Sequence, residues 1–132
     1  MTPSTPAEVF REIDALEAEV GERLRGLSER VPAARAFARS LLRDHARQHA
    51  EREQLRKRLG LLGVAPVRAP AADPGSLPAL RASQQALVQA HVEGLPVLGN
   101  PAAVDRLAHH LVALARHLTV IDLWMEAEEN GG

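Results

Sequence analysis

"TPAEVFREIDALEAEVGERLRGL", residues 5–27, decides the fold class. Thr5, Pro6 and Glu8 form a T-x-x-E capping box with proline at the first helical position. Val9, Ile13, Leu16, Val20, Leu24 and Leu27 then recur at helical spacing, which predicts helix 1 over about residues 6–29. Downstream, Pro32 restarts the chain, and Ala34, Phe37, Ala38, Leu41, His45, His49, Leu55 and Leu59 continue a helical stripe until Gly60 and Gly63. Helix 2 is therefore expected over residues 32–59. Residues 64–76, "VAPVRAPAADPGS", are rich in proline and without period, so they read as a connection long enough to cross a bundle. Leu80, Leu87, His91 and Leu95 mark helix 3 over residues 77–97, its end weakened by Gly94 and Pro96. Asn100 caps helix 4 over residues 100–128, where Val104, Leu107, Leu111, Leu114, Leu118, Ile121 and Met125 repeat in near-heptad fashion.

The expectation is an all-α single domain spanning residues 1–132: a four-helix bundle of ferritin-like type with a long crossover between helices 2 and 3. Composition agrees. At 14.3 kDa the chain suits one domain, and with only 2% aromatic residues its core must be Leu, Val, Ile and Ala, which favours helices over sheets. Sixteen basic against seventeen acidic residues leave a net charge of -1, so there is no field for gripping a polyanion and nucleic acid is not an expected partner. The absence of cysteine excludes disulfides, thiolate metal sites and thiol redox chemistry. No apolar run reaches the roughly 18 residues of a membrane span, and "MTPSTPAEVF" has no signal-like apolar segment, so the expected location is cytoplasmic.

Helical projection sets His45 in line with Phe37, Ala38 and Leu41, His91 with Leu87 and Leu95, and His110 and His117 with Leu107, Leu114 and Ile121. His49 lies one turn beyond His45, and His109 falls on the outer face. On helix 1, Glu17 is the acid closest to the apolar stripe. Counting residues at about 1.5 Å apiece puts Glu17 and His45 equally far from the turn between helices 1 and 2, His91 as far into helix 3 as His45 is into helix 2, and His110 within about a turn of that level, with His117 roughly 10 Å beyond His110. Two readings follow. In one, Glu17, His45, His49, His91, His110 and His117 are the candidate ligands of an interior site for zinc, copper, nickel or iron. In the other, they are structural histidines hydrogen-bonded to their neighbours. The arginine-rich run Arg52 to Arg58 is expected to be a solvated face along which Glu51 and Glu53 pair, with Trp124 and Met125 in the core.

Enzymatic chemistry finds little footing. A di-iron centre wants inward Glu on all four helices and Glu-x-x-His on two, and no Asp or Glu stands three positions before any histidine here. Ser40 and Ser83 have no evident triad partners, and no glycine-rich phosphate loop is present.

"ARAFARSLLRDHARQHAE", residues 34–51, with Phe37-Ala38 and Asp44-His45, resembles the second helix of an uncharacterised family of bacterial ferritin-like four-helix proteins. The resemblance resumes at "VQAHVEGL" with His91 and at "NPAAVDRLAHHLVALARHL" with Asn100-Pro101 and His117, and covers most of residues 31–118. It implies His45, His91 and His117 as the family-type histidines, whereas the residue count prefers His110 on helix 4. The usual export signal of the family leaves a periplasmic location open beside the cytoplasmic one. Two function classes result: a metal-binding helical module, or an interaction bundle in which helix 4, apolar around much of its girth, binds a second copy or another protein.

Overall fold

The computed structural model describes residues 3–61 and 76–131, and those residues form four α-helices and no strand: α1 (Pro6–Arg30), α2 (Arg35–Leu59), α3 (Leu77–Leu98) and α4 (Pro101–Gly131). The proline-rich connection predicted over residues 64–76 lies outside the described residues except for Ser76, as does Gly63. The helix starts follow the expected chemistry. Thr5 Oγ1 accepts the Glu8 amide at 3.2 Å, Ser76 Oγ that of Ala79 at 3.2 Å, and Asn100 Oδ1 that of Ala103 at 3.1 Å. The capping box differs in one detail: the Glu8 carboxylate reaches back to the Ser4 amide at 3.0 Å. A 3-10 turn over Pro32–Ala34 separates α1 from α2, and Gly60 closes α2 at φ 70°, a left-handed conformation that glycine adopts without penalty. Pro96 does not stop α3, which runs on to Leu98.

Each helix presents its buried face at alternating steps of three and four residues, the spacing of a left-handed bundle seam. In α1 these positions are Phe10, Ile13, Glu17, Val20, Leu24 and Leu27; in α2, Ala38, Leu41, His45, Gln48, Arg52 and Leu55. In α3 they are Leu77, Leu80, Gln84, Leu87, His91, Gly94 and Leu98, and in α4 Ala103, Leu107, His110, Leu114, His117 and Ile121. Apolar residues therefore fill the two ends of the bundle, and a polar belt occupies its middle.

Helix directions can be read from side-chain pairs. Arg56 and Arg52 on α2 reach Asp14 on α1, while His45 reaches Glu17, so α1 and α2 are antiparallel. Arg23 donates to Ser83 at 2.6 Å and Gly94 packs on Val9, which makes α3 antiparallel to α1. Gln84 with Leu114 and Arg81 with Asp122 make α4 antiparallel to α3. Helix α1 packs closely on α2 and α3, and α3 on α4; α2 and α4 meet only sparsely backbone to backbone.

Candidate functional site

The polar belt begins on α1. Glu17 lies on the buried stripe itself and Asp14 beside it, and both are buried and pair with α2. Facing them is Arg52, whose side chain is fully buried and donates through Nε to Asp14 at 3.0 Å and through Nη2 to Glu17 at 2.5 Å. Arg56 adds a second guanidinium to Asp14 and bonds Glu53 at 2.8 Å. This overturns the expectation of a solvated arginine face. Arg52 and Arg56 are buried, while Lys57 and Arg58 remain exposed. The reason is charge pairing: two carboxylates taken out of water require cations with hydrogen bonds to match, and the planar guanidinium supplies both. Burial raises the Glu17 pKa, but bonds from His45 and Arg52 outweigh that and hold it down at about 2. For Arg52, burial works to lower the pKa, yet Glu17 and Asp14 keep it raised and the side chain cationic.

The seam between α2 and α4 is built differently. Three rungs cross it, spaced by one heptad on each helix: Phe37 stacks on Trp124 with ring centres 5.5 Å apart, Asp44 accepts from His117 Nε2 at 2.9 Å, and Glu51 accepts from His110 Nε2 at 2.9 Å. Arg106 also bonds Glu51 at 2.9 Å, so Glu51 pairs across the seam and not along its own helix as expected. Long side chains thus bridge a seam where backbones do not come close. Trp124 and Met125 are partly buried against the core, and the outer-face His109 is exposed and bonds only within its own helix.

All four histidines placed on inward stripes are buried, namely His45, His91, His110 and His117. His49 is about half exposed, its Nδ1 standing 3.6 Å from Glu17 and 3.8 Å from Asp14 at the mouth of a cleft of about 300 Å³ between α1 and α2. The level count is corrected. His45 sits beside His117, ring centres 5.8 Å apart, and His110 lies one heptad away beside Glu51. Because α2 and α4 run antiparallel, counting from the start of each helix approaches the middle from opposite ends, so equal counts do not mean equal levels.

One pattern unites the four rings. Each is tethered through one nitrogen: His45 Nδ1 to Glu17 at 3.4 Å, His91 Nδ1 to the Leu87 carbonyl at 2.9 Å, His110 Nε2 to Glu51, and His117 Nε2 to Asp44. In each ring the other nitrogen, His45 Nε2, His91 Nε2, His110 Nδ1 or His117 Nδ1, is buried with no hydrogen-bond partner among the described residues. An acceptor at the tethered nitrogen fixes the proton there in the neutral ring, so the second nitrogen turns a lone pair into the interior. Burial lowers the pKa of His91 to about 4, and it lowers those of His110 and His117 against the opposing pull of Glu51 and Asp44. Those three rings are neutral at pH 7.

A transition ion can be tested against this donor set. Neutral imidazole suits zinc, copper, nickel and iron, and a ligating histidine almost always gives its other N–H to a carboxylate or carbonyl, as these rings do. The carboxylates do not fit as ligands, since Asp14 and Glu17 are occupied by Arg52 and Arg56. Among the described residues no three His, Asp or Glu side chains stand together as a group able to hold an ion. Donor chemistry fits at the adjacent pair His45 and His117; the wider cluster anticipated from sequence is not assembled. Sequence reasoning also passed over Asp14, Gln48 and Arg52. The signal for Gln48 and Arg52 was their three-and-four spacing from Leu41, His45 and Leu55. No known protein family, curated protein or solved structure matches the chain. No helix among the described residues is long and apolar enough to cross a membrane.

Proposed function

We propose that this protein is a metal-binding four-helix bundle in which an interior transition ion is taken up by imidazole nitrogens, with His45 and His117 as its protein ligands. The observation carrying this reading is the tethering of four buried rings through one nitrogen while the other nitrogen stays without a partner. Leaving a buried polar atom unpaired costs about 1–3 kcal/mol, and an ion recovers that cost where two such atoms share it. With metal–nitrogen bonds of about 2 Å, two rings on one ion have centres roughly 5–6 Å apart, and the 5.8 Å between His45 and His117 agrees. Glu17 and Asp44 then act as anchors that orient the rings. A ferritin-like connectivity accompanies this proposal. It is supported by the α3 start lying beside the α1 end, where Leu27, Val31, Leu77 and Trp124 share one pocket, and by the α2 end lying at the opposite pole.

The test is elemental analysis of untagged protein with melts in added zinc, copper, nickel and iron, on the wild type and on H45Q/H117Q. Stoichiometric metal and a rise in Tm lost in the double variant support the reading. A wild type that stays metal-free and whose Tm ignores every ion rejects it.

A second reading is favoured by one observation: Val112, Val120 and Leu123 are exposed on the outer face of α4. In that reading these side chains pack on a second copy of the chain. A mass that stays monomeric at every concentration tested removes it.

A further inference from the structure

The charge and ligand count around the paired imidazoles point beyond "a transition metal" to one kind of ion. Among the described residues, each carboxylate near the site already has a guanidinium partner: Asp14 has Arg52 and Arg56, Glu17 has Arg52, Asp44 has Arg47 at 3.4 Å, and Glu51 has Arg106. The belt holds no surplus negative charge, and an ion entering it brings its full charge into a buried setting. The cost of burying charge rises steeply with its magnitude, so a monovalent ion enters far more readily than a divalent one. Coordination number gives the same answer independently. Zinc in proteins demands a tetrahedral shell of three or four protein ligands, and nickel and iron(II) favour still larger shells. Here two imidazoles adjoin, and no third His, Asp or Glu among the described residues completes a group.

On the basis of the function proposed above, we infer that the ion is copper(I), held between His45 Nε2 and His117 Nδ1 in a two-coordinate site. Copper(I) is monovalent, has a filled d shell without a geometric demand, and accepts two nitrogen donors in near-linear array. The ring-centre separation lies toward the wide end of the range for two rings on one ion, as an open N–metal–N angle requires. Arg52, fixed between Asp14 and Glu17, supplies the positive charge on the α1 side and repels a second cation there. His91 and His110 are not ligands of this ion: His110 stands one heptad along α4 from His117, and the Arg52 charge acts on both rings.

The chain suits a direct test, because with no cysteine it carries no thiol background for copper(I). Anaerobic titration of the full chain with copper(I) against a coloured copper(I) chelator, with silver(I) as the redox-inert counterpart and zinc as competitor, measures affinity and stoichiometry. X-ray absorption counts the nitrogen neighbours. The expected result is one copper(I) or silver(I) per chain with two nitrogen neighbours and zinc binding weaker by more than tenfold. H45Q and H117Q, whose amides can still bond Glu17 and Asp44, are each expected to lose about tenfold or more in affinity, while H109Q on the exposed face keeps it. Circular dichroism of each variant separates lost binding from lost folding. If zinc or nickel binds more tightly than copper(I), or the shell holds three or more nitrogens, the copper(I) inference is overturned while the metal reading survives. If no ion binds the folded wild type, both fall.

Discussion

Helix α1 meets its two close neighbours in opposite ways. Toward α3 it is tight and, apart from the Arg23–Ser83 bond, apolar: a Cβ on Gly94 would fall 2.6 Å from Val9 Cγ1, so only glycine lets the helices come this close. Toward α2 it offers Asp14 and Glu17, and the contact is made by guanidinium and imidazole groups. One side is held by surface removed from water, which is non-directional and forgiving of chemistry but not of volume. The other is held by charges whose partners must all be present. The chemistry of the molecule gathers on that second side and on the polar seam from α2 to α4.

If the comparison is right, the largest loss comes from breaking the charged side. Arg52→Ala strands Asp14 and Glu17 in the interior and is expected to cost about 3–5 kcal/mol in urea unfolding. Adding Asp14→Asn, Glu17→Gln and Arg56→Met to Arg52→Met, so that no buried charge is left without its counterpart, should recover most of that. Equal losses in the single and the combined variant would show that Arg52 contributes packing and not charge balance.

Acid should act on the polar belt at the middle of the bundle, to which α3 contributes His91. The His91 pKa is lowered from its ordinary 6.5 to about 4 in the folded protein, so the unfolded chain binds more protons in between. Stability is therefore expected to fall as pH drops from 6.5 through 4, by about 3 kcal/mol at roughly 1.4 kcal/mol per tenfold in acidity, with His110 and His117 adding in the same direction. Glu17 acts in a lower window: with its pKa down at about 2 against 4.5, its contribution is present above 4.5 and lost as pH falls toward 2. His91→Leu should reduce the loss in the upper window to what His110 and His117 contribute and leave the lower window unchanged, which denaturant unfolding at stepped pH resolves.

The apolar side should respond to volume. Gly94→Ala gains helix propensity of about 1 kcal/mol but must displace Val9, for a net loss of about 1–2 kcal/mol. Val9→Ala beside it should give a double variant that loses less than the sum of the two, read as a coupling in thermal melts. The smallest effects are expected at the rungs of the α2–α4 seam. Asp44→Asn and Glu51→Gln keep the shape of each rung and weaken one partly buried bond, costing about 0.5–1.5 kcal/mol each. One heptad apart, they should add within about 0.5 kcal/mol.

Much of this was legible before any tertiary contact was known. The capping residues Thr5 and Asn100 and the apolar stripes located the helices, and the four inward histidines were found by projection. What escaped was the identity of polar residues at seam positions. Gln48 and Arg52 continue the three-and-four spacing of Leu41, His45 and Leu55, yet a glutamine and an arginine among charged neighbours read as solvent-facing. Asp14 escaped for the same reason. A polar side chain is worth burying only when its partners are buried too, and those partners, Asp14 and Glu17 for Arg52, lie 38 and 35 residues away in the chain.

By itself the sequence determined four helices, their starts and the faces they bury, because caps and periodicity act over one to three turns of backbone. Only tertiary structure decided which rings share a level, which carboxylates are already neutralised and which ring nitrogens are left without partners. Those outcomes depend on the antiparallel register of helices far apart in the chain, and on charge pairs whose energy appears only once both members leave water.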